Sequence, residues 1–247
     1  MKKNSLLIIL TLALLLAIYL NRSYAFFFDY IGSHFAGNPN YVKVTDLGDK
    51  KNAKTLKILT IGDSLLAGTC ATDKSRVLAN LIAQSFISND LKVNLVNLAV
   101  PGAGVKDVLE DQVPEAITHK PDFIILMIGV NDVHDLVRAD YFRKYYDEIL
   151  EKLVLTKAEI TLINIPYLGS DLVLFPPWNI NIDLETRNFN FIIGELAREK
   201  GLKVVNIYDK FSSEFKKSSK LYCSDQFHPS DEGYKVWSEY INANITR

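Results

Sequence analysis

Short, largely apolar runs that each end at a glycine or a polar side chain are what most constrain how this chain can fold. Ile58-Leu59-Thr60-Ile61 stops at Gly62-Asp63-Ser64, and Phe123 through Ile128 stops at Gly129-Val130-Asn131-Asp132. Runs without alternation describe strands buried on both faces, as in parallel sheets. The segments 93–98, 159–165 (stopped by Pro166) and 202–207 read as three further strands. Between them lie helical periodicities at 77–87, at 140–155 with Asp140 as the expected cap, and at 184–200. The last carries Phe189, Ile192, Ile193, Leu196 and Ala197 on one face and ends at Gly201. A final helix opens at Ser230 and aligns Tyr234, Trp237, Tyr240 and Ile241. The alternation predicts a three-layer α/β/α sandwich around a central, mainly parallel five-stranded sheet, filling 56–247. At 247 residues, one large core suffices.

In open α/β sheets, reactive groups gather at the carboxyl ends of the strands. Ser64 stands at the first of these ends, Gly102 follows the second and Asn131 follows the third. The loop before the last helix carries Asp225-Gln226-Phe227-His228-Pro229. A serine hydroxyl needs a base to attack at neutral pH, and His228 is an imidazole that Asp225 can hold in the accepting tautomer. Attack on a carbonyl creates an oxyanion, for which the amides of Ser64 and Gly102 and the side chain of Asn131 are candidate donors. Each residue also has a plainer explanation. Asp63, Ser64, Asn131 and Asp132 are ordinary helix caps, Gly102 follows Pro101 as turn glycines do, and a histidine is often only a packed core residue. Four such coincidences at four strand ends make catalysis the stronger reading. Of the other histidines, His34 lies before the domain, and His119 and His134 lack an aspartate three residues earlier, although Asp132 and Asp135 flank His134.

These residues resemble the SGNH hydrolases, also called GDSL esterases and lipases. Gly62-Asp63-Ser64-Leu65 is similar to the family's nucleophile block, 97–102 to its glycine block, Gly129-Val130-Asn131-Asp132 to its asparagine block, and 225–228 to its Asp-x-x-His block. The resemblance implies a flavodoxin-like sandwich, no metal or organic cofactor, and hydrolysis of esters or thioesters through an acyl-serine. The spacing from Asn97 favours Gly102 over Gly104 as the oxyanion glycine.

The first 25 residues read as an address rather than as fold. Lys2 and Lys3 precede an uncharged run at 6–20, and Ser23-Tyr24-Ala25 offers the small residues of a cleavage site. As a helix this run spans about 22 Å against the roughly 30 Å of a bilayer core, which favours a cleaved signal. Apolar residues continue through Tyr24 to Phe28, so an uncleaved membrane anchor stays open. Either reading places the domain outside the cytoplasm. Residues 26–55 are expected to be a linker, with turns at 37–40 and 48–52.

Charge is balanced, 28 Lys plus Arg against 29 Asp plus Glu, which argues against a nucleic-acid partner. Cys70 and Cys223, in an exported chain, are candidates for a disulfide, with two separate buried thiols as the alternative. The expected substrate is an acylated small molecule, lipid or glycan. The apolar connection 167–182 is either an acyl pocket or a cover packed against the sheet edge, a membrane or a partner. Two other functions remain: an acyltransferase on an envelope glycan, and a non-catalytic carbohydrate-binding module. The natural substrate and the oligomeric state are not legible in the sequence.

Overall fold

The computed structural model describes residues 2–35, 37, 40–49 and 53–245. A single helix, α1 (Lys2–His34), leads into β1 (Val44–Leu47) and β2 (Lys54–Gly62). After β2 come the one-turn α2 (Ser64–Ala67), α3 (Leu78–Gln84) and β3 (Leu91–Asn97). Next, α4 (Val105–Asp107), a π-helical turn at Val108–Gln112 and α5 (Val113–Thr118) run on into β4 (Phe123–Met127). Then follow α6 (Val130–His134), α7 (Ala139–Val154), β5 (Glu159–Ile163), α8 (Trp178–Lys200), β6 (Lys203–Val205), α9 (Ile207–Lys217) and α10 (Asp231–Asn244).

The sheet order is β1-β3-β2-β4-β5-β6, parallel throughout except for the antiparallel edge strand β1. Every residue of β4 is buried, as its uninterrupted apolar sequence requires. One helical layer groups α3, α9 and α10, and the other groups α5, α7 and α8, giving the expected α/β/α sandwich.

Six strands replace the expected five. The additional strand lies inside the stretch read as a linker, where Val44 to Leu47 pairs with Val96 to Val93. Its side chains alternate between exposed and half-buried, so only pairing with β3 distinguishes four such residues from a turn. Tyr41 reinforces the pairing by donating its hydroxyl to Asn97 O at 2.6 Å, and Asn97 N donates to Lys43 O at 2.8 Å. The same linker stretch also contains the last turns of α1, which runs to His34. The two turns expected within it fall partly on residues outside those described.

Several element boundaries also differ, among them a helix that ends at Gln84 and a strand that ends at Ile163. Asp140 lies in the first turn of α7 rather than at its cap, and accepts from Arg138 Nε and Nη2 at 2.9 and 2.7 Å. Helix α8 begins at Trp178, because Trp178 N and Asn179 N both donate to Phe175 O. The strand expected over 202–207 stops at Val205, where Asn206 turns the chain into α9 by accepting from Asp209 N at 3.0 Å.

Candidate active site

Register brings the strand ends together. Gly62 lies beside Met127 and Thr60 beside Asn97, so the segments that follow β2, β3 and β4 leave the sheet side by side. The connection after β3 is tied back to β2 by Leu98 N to Thr60 O (2.9 Å) and Val100 N to Gly62 O (3.1 Å). Asn97 locks the same corner: its Oδ1 accepts from Thr60 Oγ1 at 2.9 Å and its Nδ2 donates to Leu66 O at 2.8 Å. Gly62 admits no side chain, since a Cβ there would sit 2.1 Å from Met127 O. Buried Gln112 holds the backbone of Gly62 from both sides, with Nε2 donating to its carbonyl at 2.8 Å and Oε1 accepting from its amide at 2.9 Å.

Asp63 then caps α2 by accepting from Leu65 N at 3.0 Å, which places Ser64 at the helix start. The loop before α10 delivers His228 to it. His228 Nε2 lies 2.9 Å from Ser64 Oγ, and Nδ1 lies 2.7 Å from Asp225 Oδ2. Asp225 is fully buried, and its second oxygen accepts from Phe227 N and His228 N, each at 2.9 Å. With both oxygens occupied, the carboxylate fixes ring and loop together. Gln226 adopts φ +57°, an uncommon value for a non-glycine residue, and is held there by the 167–182 connection. Ser170 Oγ donates to its Oε1 at 3.0 Å, and Ser170 N donates to its carbonyl at 2.8 Å.

The third block follows β4, whose Met127 pairs with Gly62. Asn131 Nδ2 spends one hydrogen on Ala103 O at 2.8 Å, and its Oδ1 sits 2.9 Å from His134 Nε2. Gly102 has φ +83° with no atom within 4 Å of a notional Cβ, so glycine is required by conformation rather than by space. Gly104 donates its amide to Asp107 Oδ2 at 2.8 Å, which leaves Gly102 as the candidate oxyanion glycine. Asp132 accepts from Val105 N at 3.1 and 3.2 Å and joins the glycine turn to α6.

Burial raises the Asp63 carboxyl to about 7, with the charge of Asp132 adding to the shift and the Leu65 amide opposing it. Burial likewise raises Asp132 to about 6, opposed chiefly by the Val105 amide.

Cys70 and Cys223 are joined as a disulfide across 153 positions of sequence, tying the turn after α2 to the loop that carries Asp225. The Cys70 sulfur, Asp225 and His228 lie within 4.8 Å of one another. Bonding of that sulfur to Cys223, and of His228 Nδ1 to Asp225, makes this a structural brace rather than a metal centre.

A model of the GDSL-like lipase/acylhydrolase family matches residues 60–236, a span containing all four blocks. The chain belongs to this family. It is therefore an esterase-type hydrolase, and its fold agrees with solved structures. A lipase/acylhydrolase from Enterococcus faecalis superposes with a TM-score of 0.63 at 23% identity, covering 77% of this chain and 95% of that one. A lipolytic protein of the G-D-S-L family from Veillonella parvula gives 0.64 at 21%, covering 78% and 99%. A mutant of an acetyl-xylooligosaccharide esterase from Geobacillus gives 0.64 at 20%, covering 80% and 97%. No curated protein matches the chain significantly in sequence.

Within this GDSL-type site, three contributions were not anticipated. His134 sits one turn after Asn131 and fixes its amide, a role an i, i+3 search from the asparagine would have raised. Gln112 carries no sequence signal, because its partner is backbone 50 residues away. Helix α1 is the largest omission. Phe27 is 1% exposed, with its ring 5.6 Å from Phe227 and 6.2 Å from His134. Phe35 lies 5.9 Å from the His228 ring, and Ser224 Oγ donates to His34 O at 3.3 Å. The aromatic run 24–30 was the available clue.

Ser64 and His228 are only 3% and 5% exposed, so the approach to the hydroxyl is narrow. A cavity of about 270 Å³ lies at the glycine turn, lined by Val100 to Ala103, Asp107, Asp111 and Gln112, with neither Ser64 nor His228 in its wall. A larger one, about 690 Å³, lies between Pro121, Asp122 and Leu155 at the opposite end of β4, away from these groups. The 167–182 connection buries Val173 and Leu174 and meets α1, so it serves as a packed cover.

Proposed function

We propose that this protein is an extracytoplasmic serine esterase that cleaves carboxylic esters through an acyl-serine intermediate. The observation that carries the reading is the unbroken contact chain from Ser64 Oγ to His228 Nε2 and from Nδ1 to Asp225 Oδ2, at 2.9 and 2.7 Å. As Ser64 Oγ bonds to the ester carbon, His228 takes its proton, and Asp225 orients the ring and balances the imidazolium. The carbonyl oxygen becomes an oxyanion held by the amides of Ser64 and Gly102 and by the free Nδ2 hydrogen of Asn131. Collapse breaks the bond from the carbon to the alkoxy oxygen, which leaves with the proton from His228. A water, deprotonated by the same imidazole, then releases the acid and restores Ser64.

Extracytoplasmic placement is supported by the apolar N-terminal helix preceded by two lysines, and by the disulfide. A sugar hydroxyl in the water's place would make the product a transferred acyl group, and product analysis with an acceptor present separates the two. Replacing Ser64→Ala should lower kcat on a short p-nitrophenyl ester by at least ~1,000-fold with the circular-dichroism spectrum unchanged. Unchanged turnover would remove Ser64 as nucleophile.

A further inference from the structure

Helix α1 changes character along its length. From Leu6 to Tyr19 its large apolar side chains are between 48% (Tyr19) and 66% (Leu7) exposed, and no charged residue occurs at 4–21. From Tyr19 onward it is fastened to the domain. Tyr19 donates its hydroxyl to Pro176 O at 2.7 Å, and Trp178 Nε1 donates to Leu20 O and Ser23 Oγ, each at 3.1 Å. The Tyr24 ring lies 4.3 Å from Trp178, and its hydroxyl donates to His134 O. These partners sit upstream of Ala25. Cleavage after Ala25 would delete them and leave a charged amine one residue from buried Phe27.

The free run is also too short to span alone: Leu6 to Tyr19 covers about 21 Å of the roughly 30 Å hydrocarbon core. The missing depth falls on the docked half of the helix. That would draw Phe26, Phe28, Leu172 and Ile180, which are 39% to 61% exposed, into the interface. Phe28 and Phe35 are partly exposed and lie 5.6 and 5.9 Å from the rings of His134 and His228. Exposed apolar rings therefore stand beside the two histidines of the site at the docked end of α1.

We infer that α1 stays on the mature protein as a bilayer anchor, and that the Ser64 site opens at the membrane surface to take the acyl ester of a membrane lipid, its chain entering beside Phe28 and Phe35. This deepens the serine-esterase reading and rests on it. The chemistry is the same hydrolysis, with fatty acid and deacylated lipid as products and water as the second reactant.

The test uses the full chain purified from membranes and reconstituted into vesicles of non-hydrolysable diether phosphatidylcholine. Intact mass should include residues 1–25. Dioleoyl phosphatidylglycerol placed in the same vesicles as the protein should release oleate at least ~10-fold faster than when supplied in separate vesicles, because anchoring raises the local substrate concentration. A mature chain beginning at Phe26, equal rates from the two presentations, or no oleate while a soluble p-nitrophenyl ester is still cleaved would each overturn the inference. Soluble-ester turnover that is absent, or undiminished by Ser64→Ala, would instead fail the serine-esterase reading, and this inference with it.

Discussion

Asp63 shows how a residue can serve the site at a cost to the fold. Its carboxyl is wholly buried and its Oδ2 has no hydrogen-bond partner, so the neutral form is favoured and titration rises to about 7. The folded state then holds this proton more tightly than the unfolded chain does. Its contribution to stability is complete below about pH 4 and is lost as pH climbs through about 7, by an amount of a few kcal/mol. Asp63→Asn keeps an acceptor for Leu65 N and cannot titrate. Chemical denaturation between pH 4 and 8 should therefore show a flatter profile for the variant than for the parent, and parallel profiles would contradict this account of Asp63. Across the site, Asn131→Ala should lower kcat by ~100-fold or more with little change in KM, as expected for a donor used in the transition state. His134→Ala, which reaches turnover through the amide of Asn131, should cost less kcat and should lower kcat no further when added to Asn131→Ala. Ser64, Gly102, Asn131, Asp225 and His228 could be singled out as candidates because each punctuates a strand end or a loop, and the structure joins Ser64, His228 and Asp225 in one contact chain. Gln112 and His134 could not be singled out, because their roles depend on partners that only the folded register supplies.

At the scale of elements, five strands could be read from the chain because burial on both faces demands apolar runs. Strand β1 could not, since an edge strand needs only alternate side chains covered, and four residues give too little pattern. Helix α9 was hidden by the continuation of an apolar run into Ile207, where the turn depends on Asn164 Oδ1 accepting from Ile207 N at 2.8 Å. The most consequential element is α1, whose apolar first half looks like an address and whose aromatic second half packs as part of the domain. Phe27→Ala should lower unfolding stability by ~3 kcal/mol, the cost of emptying a buried aromatic site. A thermal or denaturant midpoint unmoved by the change would mean that this segment does not pack on the domain.

For the whole molecule, every brace converges on one corner. The disulfide joins the turn after the serine helix to the aspartate loop, Ser170 holds Gln226 in that loop, and Asn97 and Gln112 fix the ends of β3 and β2. Support of this kind holds the hydroxyl, imidazole and carboxylate in contact before any substrate arrives, which is the preorganisation that the proposed acyl transfer needs. The central claim is that the aligned hydroxyl is the group acylated. Reaction of the full-length protein with a fluorophosphonate, followed by peptide mass spectrometry, measures this directly. The account predicts one stoichiometric adduct on the peptide containing Ser64, absent from Ser64→Ala and formed far more slowly in His228→Ala. A protein left unlabelled, or one labelled at another residue while its esterase activity disappears, would contradict it.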